Sequence, residues 1–307
     1  MCNATLYALE IGDQENIGER QGEMDFRKVN LRSLYLRTLV SILLASVPAS
    51  AVPIPHGTVE LVAEDQWMAP AHQSYFGLHF QLDPGWHIYW VNPGDSGQPP
   101  HADWKLPKGL TAGEIEWPAP RRLGTPTIAD FGYEAAVTLL VPMRAAAFLQ
   151  TDRSAQLGAE LAVLVCREIC IPGKTHLSLS VPIKSVPPQR DARTQELFAA
   201  GRKSLPRAAP ADWTVRVSDE KDSFILVANL NRAVTQATFF PLEESEIDNS
   251  ALQKFQAAAT GFHLALRKSD QLLKPIARLR GVLEVSSNES YVIDAPVGHS
   301  RAAKNVK

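Results

Sequence analysis

Apolar and polar residues alternate with a period of two through short stretches of the chain, at 59–62, 74–82, 86–91, 137–141, 159–165 and 176–181, which predicts half-buried β-strands. Turn-forming residues separate them, notably Asp83-Pro84-Gly85, Asn92-Pro93-Gly94-Asp95 and Pro107-Lys108-Gly109. Short strands at this spacing predict a β-sandwich over 52–186. A polar, proline-bearing stretch at 185–189 leads into 191–204, where Leu197, Phe198 and neighbouring alanines fit one short helix, so 187–208 reads as a linker. The strand pattern resumes at 213–217, 224–228, 236–240, 262–266 and 282–285, interrupted by one expected helical turn around 251–258. The expected fold is therefore all-β, with a second sandwich at 209–297 and a polar tail, 298–307, expected to be disordered.

A chain of 307 residues is long enough for two such domains, each with its own core. Thirty-one basic and 33 acidic residues leave a net charge of -2, without the basic excess that binding to nucleic acid requires. The first 51 residues read as a secretory leader. Arg27, Lys28, Arg32 and Arg37 form a basic region, 39–47 (LVSILLASV) an apolar core, and Ala49-Ser50-Ala51 a small-residue cleavage site. The apolar core is short for a membrane anchor, which is the competing reading. Five acidic residues precede Met24, a poor lead-in to a signal, so Met24 is the expected start of translation. Removal of the leader takes Cys2 with it and leaves Cys166 and Cys170 in an oxidising compartment.

Those two cysteines carry the strongest chemical signal, in Val165-Cys166-Arg167-Glu168-Ile169-Cys170-Ile171-Pro172-Gly173. Along a straight strand four steps would separate their Cα atoms by about 13 Å, beyond the reach of a disulfide, so pairing requires a tight turn through Arg167, Glu168 and Ile169. Closing so small a ring stabilises by roughly 2 kcal/mol, against about 4.7 kcal/mol for a 100-residue loop. Three readings stay open on spacing alone: a labile exchange pair, a passive bridge pinning a hairpin, and two thiolates joining a residue such as His176 on a soft metal. His87, His101 and His176 have no metal-ligand spacing among themselves. Arg167 would favour a thiolate at Cys166 and Glu168 would oppose it. The second sandwich has no cysteine and no cluster of convergent acids or histidines, which gives it a structural or recognition role by default.

Two further segments bear on the cysteines. In Trp86-His87-Ile88-Tyr89-Trp90, the residues Trp86, Ile88 and Trp90 share one face and predict core packing, while His87 and Tyr89 share the other and predict a surface pair, with Tyr89 able to approach the cysteines. Asn92-Pro93-Gly94-Asp95 reads as a turn. In the expected loop Asp130-Phe131-Gly132-Tyr133-Glu134, Phe131 either shields a reactive sulfur or dips into its own core as an anchor.

With the order and spacing of these three segments, the stretch from about 55 to 185 resembles the amino-terminal domain of the thiol:disulfide interchange protein DsbD and the related ScsB proteins. The resemblance is most specific in the WHIYW-NPGDSG and VCREIC-IPG segments. It implies an immunoglobulin-like periplasmic domain whose cysteines, here Cys166 and Cys170, relay electrons from a membrane-embedded thiol reductase to periplasmic thioredoxin-like or disulfide isomerase proteins, including those serving cytochrome c biogenesis. It also implies an aromatic cap over the pair, here Phe131 with Tyr133 beside it, and makes Tyr89, Asp130, Arg167 and Glu168 possible site neighbours. By the same resemblance Cys170 is the cysteine expected to attack the acceptor. No cofactor or metal is implied. The Cys-x3-Cys spacing is closer to the ScsB type than to DsbD, and the membrane and thioredoxin domains of the full-length proteins have no counterpart in this sequence, so the implied donor is a separate chain. The second sandwich looks like the extra one of the longer members. The alternative from another class is a secreted binding module in which the bridge only rigidifies a loop.

Overall fold

The alternating stretches become strands that close two sheets over one apolar core. The computed structural model describes residues 51–286 and 289–299, so the expected leader, apart from its last residue, and the end of the expected tail lie outside the described residues. In chain order the first half contains β1 (Val52–Ile54), β2 (Gly57–Ala63), β3 (Gln73–Leu82), β4 (His87–Gly94), β5 (His101–Lys105), β6 (Leu110–Ala112), β7 (Arg121–Thr125), β8 (Ile128–Glu134), β9 (Ala136–Ala145), β10 (Arg153–Cys166) and β11 (Cys170–Ile183). One sheet has the order β1-β2-β3-β9-β6; the other runs β11-β10-β4-β8-β7, with β5 also paired to β10. Phe76, Leu78 and Phe80 from β3 meet Ile88 and Trp90 from β4 and Leu157, Leu161 and Val165 from β10 in the shared core. Each such fully buried side chain contributes about 1.5–3 kcal/mol, so the alternation itself fixes which face of each strand turns inward.

The short helix is α1 (Gln195–Ser204), and it is docked rather than free. Its Phe198 packs with Val62 and Leu140 on the outside of the first sheet, Arg202 pairs with Glu64, and the Thr194 hydroxyl donates to the Ala63 carbonyl at 2.8 Å.

The remaining strands are β12 (Arg207–Ala208), β13 (Thr214–Asp219), β14 (Ser223–Asn229), β15 (Thr238–Pro241), β16 (Lys254–Ala258), β17 (Gly261–Arg267), β18 (Arg278–Ser286) and β19 (Glu289–His299). They join in one path, β15-β18-β19-β13-β14-β17-β16, with β12 also on β19. The long β19 pairs antiparallel with β18 and, at its end, parallel with β13. Phe224, Leu226, Phe262 and Leu264 from one half of this path share an apolar cluster with Phe239, Leu279, Leu283 and Ile293 from the other, as in a sandwich. Phe240 and Val282 instead belong to the first core, so the two β units pack on each other.

Three expectations are corrected. The helical turn at 251–258 is replaced by β16: the alanine-rich segment pairs with β17, and its Phe255 ring packs on Phe262 at 5.5 Å, a tertiary contact that overrides helix propensity. Gly298 and His299, placed in the expected tail, still pair with Ser218 and Asp219. The stretch 130–134, expected as a loop, lies within β8 and pairs with β4 on one side and β7 on the other.

Candidate thiol-disulfide site

Strands β10 and β11 form a hairpin of two 14-residue arms, and its three-residue tip is Arg167-Glu168-Ile169. The tip closes with the Arg167 N–H donating to the Ile169 carbonyl at 3.0 Å. Cys166 and Cys170 are the last paired residues, joined by a disulfide with their Cα atoms 4.1 Å apart. This is the bend that the four-residue spacing requires.

Parity decides which way the sulfurs point. Leu157, Leu161, Val163 and Val165 of β10 turn into the core, so Cys166, one residue on, lies on the outer face of the sheet, opposite His87 of β4. Tyr89 shares that face and sits opposite Gly132 of β8. Its hydroxyl lies 3.5 Å from the Cys170 sulfur. The two cysteines are not equally accessible: Cys166 is 1 % exposed, whereas Cys170 is exposed beside Ile169, itself 64 % exposed.

His87 and Tyr89 are not the surface pair that alternation predicts. Both are buried, and the chain after β4 folds back over Tyr89. Gly97 lies against the flat of the Tyr89 ring, where any Cβ would overlap it, and its φ of 86° also favours glycine. The Ser96 hydroxyl donates to the Asp130 carboxylate at 2.8 Å, and Asp130 stands 4.0 Å from His87 Nε2. The His87 and Tyr89 rings meet edge to face at 5.1 Å. A buried polar patch therefore runs from Asp130 through Ser96 and His87 to Tyr89 and the accessible sulfur. Burial lowers the His87 pKa, opposed by Asp130 and Glu134, so the imidazole is neutral at pH 7. Burial raises that of Tyr89, which a Ser96 hydrogen bond opposes, so the phenol keeps its proton and can donate it to sulfur.

Phe131 and Tyr133 occupy the other face. Phe131 is buried in the first core with its ring edge to face against Phe240 at 5.2 Å, and the Tyr133 hydroxyl donates to the Pro118 carbonyl at 2.7 Å. The expected cap is corrected accordingly: in a strand, odd-numbered Phe131 and Tyr133 point inward while Asp130 and Gly132 face the cysteine side. The ring beside the sulfur is Tyr89. Arg167 and Glu168 pair with each other at 3.0 Å on the exposed tip, and the Arg167 guanidinium lies 5.1 Å above Trp86. His176, considered as a metal ligand with the thiols, lies at 2.9 Å from Glu160. Among the described residues no group of three or more His, Cys, Asp or Glu side chains is arranged to hold a metal ion.

A family model described as "Thiol:disulfide interchange protein DsbD, N-terminal" matches residues 58–182, the stretch that contains every residue of this site. Residues 58–182 form a DsbD N-terminal-like domain. The N-terminal periplasmic domain of ScsB from Proteus mirabilis has the same fold: it superposes with a TM-score of 0.60 at 17 % identity, over 81 % of this chain and 98 % of that one. The match extends beyond the DsbD-like domain, so the ScsB structure shares part of the C-terminal architecture as well. The YadV chaperone (TM-score 0.21, 10 % identity, 77 % of this chain and 98 % of that one) and the periplasmic chaperone SfaE (0.19, 8 %, 78 % and 99 %) superpose too poorly to inform the reading. No curated protein sequence matches the chain. No helix among the described residues is long and apolar enough to cross a membrane.

The sequence missed Ser96, Gly97 and Asn92 as parts of the DsbD-like site. The Asn-Pro-Gly-Asp-Ser-Gly segment signals a turn, and nothing in its pattern says that the turn closes over Tyr89.

Proposed function

We propose that the Cys166–Cys170 pair is a thiol:disulfide exchange centre, passing reducing equivalents from a membrane-embedded thiol reductase on a separate chain to thioredoxin-like or disulfide isomerase proteins of the periplasm. The chain would reach that compartment through the leader ending at Ala51. The observation that carries the reading is the asymmetry of the bridge: one cysteine buried, the other exposed at a hairpin tip beside a phenol, within a DsbD N-terminal-like domain.

The chemistry follows from that asymmetry. A donor thiolate attacks the exposed Cys170 sulfur, the Cys166–Cys170 bond breaks, and Cys166 leaves and takes up a proton. The donor's second thiolate then attacks the donor sulfur of the mixed disulfide, which frees Cys170 and leaves the donor oxidised. In the onward step the Cys170 thiolate, steadied by the Tyr89 hydroxyl, attacks an acceptor disulfide. Cys166, deprotonated, attacks Cys170 and restores the bridge while the acceptor departs with two electrons and two protons. No cofactor enters the cycle.

Cys166→Ser tests this. It removes the resolving thiol but keeps the exposed one, so the secreted variant is expected to accumulate mixed disulfides through Cys170, visible as thiol-sensitive adducts on non-reducing gels. Absence of adducts, with the oxidation state of extracytoplasmic thiol proteins unchanged when the chain is lost, would sink the proposal.

A further inference from the structure

We propose that the C-terminal β unit positions the thiol site, holding the 92–97 loop down over Tyr89, whose hydroxyl lies at the Cys170 sulfur. The inference rests on the exchange reading and assigns a task to the half of the molecule that carries no thiol.

The contacts between the units converge on that loop. The buried Asn92 amide donates to the carbonyls of Pro241 and Glu243 at 2.9 and 3.1 Å, and its Oδ1 accepts the Gly94 N–H at 3.0 Å. Asn249 Nδ2 donates to Asp95 Oδ1 at 3.0 Å. The other oxygen of the same carboxylate accepts the Ala129 N–H at 2.8 Å, and the Asp95 N–H donates to the Ala129 carbonyl at 2.9 Å, so Asp95 ties the loop to β8. Arg122 of β7 donates to the carbonyls of Asn249 and Ser250. Asn249 is itself held in a turn in which Asp248 Oδ1 accepts from the Ser250 and Ala251 N–H groups. Asn249 is thus fixed before it reaches across.

From Asp95 the loop continues directly to Ser96, which bonds Asp130, and to Gly97, whose backbone covers the Tyr89 ring. A Tyr89 ring pressed between the sheet and Gly97 has its hydroxyl held at the Cys170 sulfur. A loop released from Asn249 frees the ring and opens the side of the bridge that Tyr89 covers. Asn249 is therefore a positioning residue. It touches no reacting atom and acts through Asp95 and the loop.

Asn249→Asp in the full chain is the test, because it keeps the side-chain shape while setting a carboxylate against Asp95. Losing a hydrogen bond to a charged group typically shifts an equilibrium by about tenfold or more. The rate of reduction of the Cys166–Cys170 bridge by dithiothreitol, followed by thiol alkylation, is expected to rise about tenfold on that basis. Amide hydrogen exchange at Asp95 and Ala129 is expected to accelerate with it. Asn249→Ala, which removes the donor without adding charge, is expected to change the rate in the same direction by less, and it stands in if the aspartate variant does not fold. A melting temperature that falls while the rate stays within twofold of wild type would show Asn249 to be merely structural and overturn the proposal. The two readings fail separately. A reactive wild-type bridge whose rate ignores Asn249 overturns positioning alone. A bridge inert in wild type counts against exchange, and it supports positioning if the variants become reactive and overturns it if they do not.

Discussion

Strands β14 and β4 obey the same rule of alternation and end differently. In β14 Phe224, Leu226 and Ala228 are buried, while the residues between them stay half-exposed, so one face meets the core and the other meets water. In β4 Ile88 and Trp90 are buried in the core, yet His87 and Tyr89 on the other face are buried too. Covering polar groups costs free energy unless each finds a partner: the Tyr89 hydroxyl, under Gly97, reaches the Cys170 sulfur, whereas His87 Nε2 has no hydrogen-bond partner among the described residues and stands 4.0 Å from Asp130. The contrast teaches where to look for chemistry in a sandwich: at the strand whose outer face is hidden although its sequence says it should be wet. That strand is the one beside the cysteines.

The comparison can be broken most sharply at the cysteines. If the hidden face controls access, Cys170→Ser leaves only the buried Cys166 thiol and abolishes thiol transfer, whereas Cys166→Ser leaves an accessible Cys170. Alkylation by iodoacetamide is expected to be fast in the second variant and nearly absent in the first. Equal rates would mean that the burial asymmetry has no chemical weight.

A second prediction separates stability from reactivity. Phe224→Ala in β14 removes a fully buried ring and is expected to cost about 3–5 kcal/mol in denaturant unfolding. The reduction rate of the bridge in the remaining folded protein should not change, because this ring lies in the C-terminal core, away from the loop contacts.

The two units also treat their buried acids differently. Asp130 accepts from Ser96, but Glu246 in the C-terminal unit has one oxygen without a hydrogen-bond partner, and burial, with Glu243 adding to it and Arg280 opposing, raises its pKa from 4.5 to about 7. The folded state thus holds this proton more tightly than the unfolded chain. Its contribution to stability is full below pH 4.5, falls as pH rises towards 7 and is flat above, a change of roughly 3 kcal/mol. Glu246→Gln is expected to remove that part of the pH dependence and to raise the melting temperature at pH 8 more than at pH 4. A variant with the wild-type pH profile would show that Glu246 is not the group responsible.

The smallest expected effect lies at the phenol. Tyr89→Phe keeps the ring under Gly97 and deletes the hydroxyl that meets Cys170 and Ser96, so it should raise the Cys170 thiol pKa by less than about one unit and leave stability within about 1 kcal/mol. A pH titration of Cys170 alkylation in the Cys166→Ser background measures it.

Much of this was legible in the sequence because period-two alternation and the four-residue cysteine spacing are local signals. Val165-Cys166 and Cys170-Ile171 could bond only around a tight tip, and Trp86, Ile88 and Trp90 could only face a core. The rest depended on contacts the pattern does not encode. Asp130, Gly132 and the flanking polar residues look like a loop, and only pairing with β4 and β7 makes them a strand, which turned the expected cap inward. Asn249 lies 154 residues from Asp95, and nothing local to either residue announces the bond.

The central claim is that the Cys166–Cys170 bridge opens and closes in use. Equilibrating the full chain in thiol buffers of known potential, and counting free thiols by alkylation, gives its reduction potential. The account predicts a value among those of exchange proteins, between about -270 and -120 mV, and a value below about -300 mV would mark a structural bridge and contradict it.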